Sequence, residues 1–202
     1  VQDLLDFSQI EAGKITVEKV PFLLTEAIDE TAKNIQTVYK EKNIDLIINI
    51  DEKLHSRIVG DPFRLKQILS NIIGNAYKFT EEGFIKINAY RTTGDASFII
   101  TIQDSGIGIE KQNQKFVFEE FAQANENIEK KYGGTGLGLS ICQKIITILG
   151  GNLKLESEFG KGSTFTIELP LVYDTSTTTI QKSEKSVILN TKFSRDLVWD
   201  VQ

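Results

Sequence analysis

Asn71, Asn75 and Lys78 follow one another at i, i+4 and i+7, so a helix would carry them on one stripe. An amide oxygen can ligate Mg²⁺, and a lysine can meet phosphate. A solvated helix face would look the same. Asparagine is a mediocre helix former, however, so two in mid-helix cost stability without an evident structural return. A fourth group, Asp104, ends a β-like run and precedes Gly106 and Gly108. A carboxylate held there can accept a hydrogen bond from an exocyclic amine. Adenine offers that amine, whereas guanine offers a carbonyl that the carboxylate would repel. The alternative is an Asx turn.

Eight of the fifteen glycines fall in three clusters: D-S-G-I-G-I at 104–109, G-G-T-G-L-G-L-S at 133–140 and G-K-G-S-T-F at 160–165. None is a Walker loop, because G-x-x-x-x-G-K-[ST] does not occur. The second cluster holds G-x-G-x-G (Gly134, Gly136, Gly138) directly before a helical pattern. Glycines there let backbone N–H groups approach an anion, and the helix N-terminus favours negative charge. A tight turn is the competing explanation.

Several elements must position these groups. Residues 1–12 read as a helix stopped by Gly13, and their broad apolar surface suggests the end of a longer helix. Lys14–Val20 reads as a strand ahead of Pro21. Residues 23–40 carry a helical stripe, with Asn43 as its expected C-cap, and 44–50 alternate like a strand. Asp61-Pro62 is a helix start, an N-cap acceptor followed by proline at the first position. That helix should run to Phe79 and bury Leu65, Ile68, Leu69, Ile72, Ile73 and Ala76. Residues 84–91 and 96–103 read as a hairpin turning at Gly94. Residues 110–121 look weakly helical, 122–133 read as a mobile loop, and 137–149 are helical with Cys142 on the apolar face. Strands at 152–158 and 163–170 close the pattern. Hairpins mixed with helices suggest a two-layer α/β sandwich. The expected organisation is a helix end (1–13), one domain (14–171), a linker (172–186) and the start of a following module (187–202).

Composition narrows the function classes. The chain has 202 residues, 23 Lys plus Arg against 28 Asp plus Glu, and a net charge of −5. A mildly acidic chain without a basic run argues against nucleic acid as a partner. One cysteine excludes an internal disulfide and suggests a reducing, cytoplasmic setting. One histidine, His55, excludes multi-histidine metal sites. No apolar stretch reaches about 18 residues, so no membrane contact is expected of this segment. The chain lacks methionine and opens on Val1, which suggests a processed piece.

Taken together, the motifs resemble those of one family. L-x-Q-I-L-x-N-I-I-x-N-A-Y-K-F-T (65–80) resembles the N box of sensor histidine kinases. D-S-G-I-G-I, F-V-F-E-E-F-A-Q (116–123), G-G-T-G-L-G-L-S-I (133–141) and G-K-G-S-T-F resemble their first glycine, F, second glycine and third glycine boxes, in family order. L-L-D-F-S-Q-I-E-A-G-K (4–14) is similar to the end of the helical hairpin that precedes this domain. The resemblance implies the Bergerat ATP-binding fold, a mixed sheet with helices on one face and a flexible lid over ATP. It implies that Asn75 holds Mg²⁺ with Asn71 in support, and that Lys78 meets phosphate. Asp104 would read the adenine amine beside Gly106, Gly108 and Ile109. Gly134, Thr135, Gly136, Leu137 and Gly138 would line the phosphates and hinge the lid, and Thr164 would lie near the adenine. F-E-E-F stands where F-E-P-F is frequent, and Lys130 where arginine is common.

One position separates relatives by mechanism. ATPases of the same fold, of the gyrase and heat-shock chaperone types, carry a glutamate where Asn71 sits, as general base for water. An amide accepts no proton, so γ-phosphate would be kept for another nucleophile. In the resembling kinases that nucleophile is a histidine on the dimeric hairpin, and the phosphate passes on to a response-regulator receiver domain. His55, in D-E-K-L-H-S-R, lacks the H-E-[LI]-R-T-P context of such an acceptor and reads as a surface residue. Residues 187–202 faintly resemble the opening of a receiver domain, as in a hybrid kinase, without its acidic pair. The competing function is a nucleotide-binding regulatory module that transfers no phosphate.

Overall fold

The computed structural model describes residues 2–94, 96–121 and 136–175. Helix α1 (Gln2–Glu11) ends at Gly13, whose φ of 63° is the left-handed stop its position predicts. Strand β1 (Val20–Leu23) leads into α2 (Leu24–Val38) and then β2 (Asn43–Ile50). A 3-10 turn at Glu52–Leu54 precedes β3 (Arg57–Gly60), and α3 (Pro62–Phe79) follows. β4 (Glu82–Arg91) and β5 (Ser97–Asp104) form the expected hairpin, with Gly94 at φ 98° in its turn. α4 (Gly138–Ile148), β6 (Asn152–Glu158) and β7 (Gly162–Pro170) complete the order.

The main sheet has the order β2-β4-β5-β7-β6. β2 runs parallel to β4, from Asn43↔Glu82 to Ile50↔Ala89, and every other pair is antiparallel. A parallel pair needs a crossover, and α3 supplies it. Period-two alternation turns Ile85, Ile87, Phe98, Ile100, Ile102, Phe165 and Ile167 to one buried face. Ile68, Leu69, Ile72 and Ile73 of α3 and Ile141, Cys142 and Ile145 of α4 cover that face and are themselves buried. On the other face a polar ladder crosses the strands: Asn49 donates to Asn88, and Asn88 to Thr101. The fold is thus the two-layer sandwich, a mixed sheet with helices on one face.

Three local expectations are corrected. Residues 14–19 carry no strand, which instead spans Val20–Leu23 and contains Pro21. Its partner is β3 in a separate two-stranded sheet, where β1 is an edge strand and a missing N–H is tolerated. Asn43 opens β2 rather than capping α2, whose C-cap is Tyr39. Residues 111–121 form successive turns, not a helix: the Asn113, Phe116 and Glu119 amides each bond a carbonyl three residues back, so no α-helical ladder develops.

The outgoing chain is tied to the same small sheet. The Val59 amide donates to Val172 O, the Asp174 amide to Arg57 O, and Tyr173 bridges Ile58. β3 therefore lies between the incoming strand β1 and the outgoing residues 172–174. The expected lid (122–133) and most of the linker and following module (176–202) lie outside the described residues.

Candidate functional site

α3 is fixed at both ends by side chains. Asp61 accepts the Arg64 amide at 2.9 Å as N-cap, and its second oxygen accepts the Glu18 amide at 3.0 Å. Pro62 occupies the first turn, as the sequence predicts. At the other end Lys42 donates to Tyr77 O (2.8 Å), Lys78 O (3.2 Å) and Thr80 O (2.7 Å). A cation there satisfies orphan carbonyls and complements the helix dipole. Tyr39 stacks on Tyr77 beside it, with ring centroids 5.5 Å apart.

On this fixed rod Asn71, Asn75 and Lys78 lie half-buried, alongside the fully buried Ile68, Ile72 and Ile73. Partial burial pulls the Lys78 ammonium below the usual lysine pKa. Its Nζ sits 5.0 Å from the Phe79 ring centroid.

Gly138 brings the second glycine cluster to this stripe. A Cβ there would lie 3.2 Å from Asn71 Oδ1, so the first turn of α4 packs directly against that amide. Gly136 has φ 70°, which glycine adopts without strain. Leu137, fully buried, anchors the turn. The N-terminal amides of α4 thus open beside Asn71, where the helix dipole favours an anion. Gly134 and Thr135 lie outside the described residues.

Asp104 ends β5 and is 6% exposed. Burial raises its carboxyl above the usual aspartate pKa, against the pull of backbone N–H groups from Gly106 and Ser163. The Gly106 amide donates to its Oδ1 at 2.9 Å. The glycines of this box serve close approach more than open space. A Cβ on Gly106 would meet Phe79 O at 2.5 Å, Thr80 Oγ1 at 2.8 Å and Asp104 Oδ1 at 2.9 Å. One on Gly108 would meet Glu158 O at 2.0 Å. The 104–108 turn is thereby wedged between the end of α3 and the β6–β7 hairpin. The Ile109 amide donates to Ser157 Oγ at 2.8 Å, which secures its far side.

Thr164 does not join this group. It pairs with Gln103, whereas Ser163 pairs with Asp104. Paired residues share a face, so Thr164 and exposed Gln103 point to the open side of the sheet, while Ser163 (7% exposed) stands beside Asp104 on the helix side. Strand parity in G-K-G-S-T-F is the signal that identifies Ser163. Thr80 and Lys42 were also missed. Thr80 stands in the motif but looked like a helix end. Lys42 approaches from 35 to 38 residues away, with no local pattern to mark it.

Among the described residues no cluster of three His, Cys, Asp or Glu could hold a metal. The oxygen donors on the stripe are the amides of Asn71 and Asn75. No described helix is long and apolar enough to cross a membrane.

Comparison with known proteins agrees with this fold. Residues 60–173 match the family described as histidine kinase-, DNA gyrase B-, and HSP90-like ATPase, and the chain belongs to that family. Within it, the chain is similar to sensor kinases. The signal transduction histidine-protein kinase BarA of Escherichia coli (strain K12) is 38% identical over 174 residues, 85% of this chain and 19% of that protein. The sensor histidine kinase GacS of Pseudomonas protegens is likewise 38% identical over 174 residues, 85% of this chain and 19% of that protein. Full-length ShkA in complex with AMPPNP superposes with TM-score 0.76 at 28% identity, over 86% of this chain and 35% of that one. The catalytic domain of histidine kinase ThkA gives 0.65 at 32% identity, over 76% of this chain and 95% of that domain. The chain is thus an ATP-binding catalytic domain of the sensor histidine kinase type, spanning about a fifth of the length of BarA and GacS.

Proposed function

We propose that this chain binds Mg·ATP and donates its γ-phosphate to a histidine on the helical hairpin of its parent kinase, a homodimer that passes phosphate to a receiver domain. The observation that carries the reading is the convergence on α3. Asp104 is held at its C-terminal end through Gly106, and the α4 N-terminus is docked on Asn71 through Gly138. An adenine at Asp104 and phosphates along Asn75 and Lys78 toward α4 would follow that line.

The residues present fit Mg²⁺. That ion takes hard oxygen ligands, keeps several waters and relies on one or two protein groups plus phosphates. Asn75 would ligate it with Asn71 in support, and the bound ion would neutralise charge on the phosphoryl oxygens. The ionised Asp104 accepts the exocyclic amine. Lys78 and the α4 amides hold the phosphates in place, and transfer then rests on positioning and charge stabilisation. Asn71 carries an amide that takes no proton from water, so the site favours storing the γ-phosphate over hydrolysing it.

Titration calorimetry of ATP into the chain, with and without Mg²⁺, tests the reading. Binding should strengthen with Mg²⁺, and Asn75→Ala should remove most of that increment while sparing the Mg²⁺-free binding. Absence of ATP binding in Mg²⁺ buffer would defeat the proposal, and equal loss in both conditions would remove Asn75 as the ligand.

A further inference from the structure

Thr80 is fully buried, and its hydroxyl has no hydrogen-bond partner. A buried hydroxyl left unmatched is costly, so its position calls for a reason. The backbone that carries it is over-determined: the Thr80 amide donates to Ala76 O at 3.1 Å, and Lys42 donates to its carbonyl at 2.7 Å. The hydroxyl itself is left to face Gly106. Thr80 Oγ1 and Asp104 Oδ1 both lie within 3 Å of the point where a Gly106 Cβ would stand. Asp104 supplies an acceptor only, whereas a threonine hydroxyl can donate.

We propose that Thr80 is a specificity-determining residue of the nucleotide site, whose hydroxyl gains its partner only when a purine binds, by donating to the ring nitrogen beside the exocyclic amine, directly or through one water. The inference rests on the ATP-binding reading above and adds a second group to its base recognition. Asp104 as acceptor and Thr80 as donor match the donor–acceptor edge of adenine. Guanine presents the reverse order, an acceptor oxygen beside an N–H.

The near-isosteric Thr80→Val tests this in the full 202-residue chain, with Thr80→Ser as the conservative partner. Thr80→Val should weaken ATP binding about tenfold, the scale of one buried hydrogen bond, and Thr80→Ser should restore it. The unliganded Thr80→Val protein should melt no lower than wild type, because the substitution removes an unpartnered polar atom. Opposite signs for stability and binding are what a merely structural threonine would not give. A chemical cycle completes the test: 1-deaza-ATP, which has C–H in place of the ring nitrogen, should bind wild type and Thr80→Val alike. Wild-type ATP affinity in Thr80→Val, or a melting temperature and affinity that fall together without rescue by serine, would overturn the inference while leaving ATP binding intact. Failure of the wild-type chain to bind ATP would instead remove the underlying reading and the inference with it.

Discussion

At the scale of single residues, Asp104 joins its proposed role in base recognition to a measurable cost. Burial holds its pKa above that of an unfolded aspartate, so between the two values the folded chain binds more protons. Stability conferred by this group is therefore fully present below the ordinary carboxylate pKa and falls as pH rises through the raised one. Asp104→Asn should remove that fall, so the unliganded variant should melt at least as high as wild type at neutral pH. The same substitution should cost ATP at least tenfold in affinity and weaken the preference over GTP, because a charge-assisted bond worth roughly 1.5–3 kcal/mol is lost. In wild type the affinity should also drop as pH falls through the raised pKa. Calorimetry against ATP and GTP, paired with melts across pH, checks both. Unchanged affinity and selectivity would reduce Asp104 to a turn residue. The neighbouring positions show where sequence reading stopped. The placement of Asn71, Asn75 and Lys78 along one helix and of Asp104 at a strand end was legible because both are local patterns. Ser163 was passed over for Thr164 by one residue, and in a strand one residue reverses the face. Thr80 and Lys42 matter through contacts between segments distant in sequence, for which no local pattern exists.

At the scale of elements, the start of α3 was readable in the sequence because its N-cap and first-turn proline are local chemistry. Asp61-Pro62 and Phe79 bound α3 as expected. The packing of α1 was not, since nothing in residues 2–11 names its partner. It docks on α4. Lys144 donates to Glu11 of α1 and to Glu120 at the end of the described turn region, and its Nζ lies 4.7 Å from the Phe7 ring centroid. Phe7 meets Phe121 edge-on, at 6.2 Å. Phe121 itself has φ 58°, a strained conformation for a bulky side chain. Gln67 of α3 adds a bond to the buried Asp6 at 2.8 Å. The two carboxylates hold Lys144 above the usual lysine pKa, so its contribution is intact at neutral pH and is lost only as alkaline pH passes that raised value. Lys144→Met keeps the stem and removes the charge. The ion pairs are substantially solvated, so global stability should change by less than about 1 kcal/mol. The amides of α1 should nonetheless exchange hydrogen several-fold faster while those of α3 stay protected, because local opening has its own free energy. Unaltered α1 exchange would show that the aromatic contacts alone hold the helix.

At the scale of the whole molecule, the layout separates the donor from the only imidazole in the chain. His55 caps the 3-10 turn, is exposed, and lies beyond the far end of β3 from Asp61. Asn75 lies fourteen positions after Asp61, which at ~1.5 Å per residue places it about 20 Å up α3. Phosphoryl transfer needs its reacting atoms at ~3–3.5 Å. β3, clamped between β1 and residues 172–174, fixes the turn that carries His55 to the rigid body of the domain. A histidine held at that end has no route to the γ-phosphate of its own chain without unfolding the small sheet. The chain should therefore bind ATP without labelling itself, at any concentration that would favour dimers, and His55→Ala should leave ATP affinity unchanged. On the proposed reading, a dimeric helical hairpin of the parent kinase, supplied in trans with its acceptor histidine, should take up label from γ-labelled ATP. The measurement is acid-labile phosphate on each component after incubation with Mg·ATP. Label on His55 of the chain alone would mean that the small sheet opens or that a second copy presents its histidine to the site. ATP binding without transfer to the hairpin would favour a nucleotide-sensing module, in which the docking of α4 on Asn71 reports the bound state and no phosphate moves.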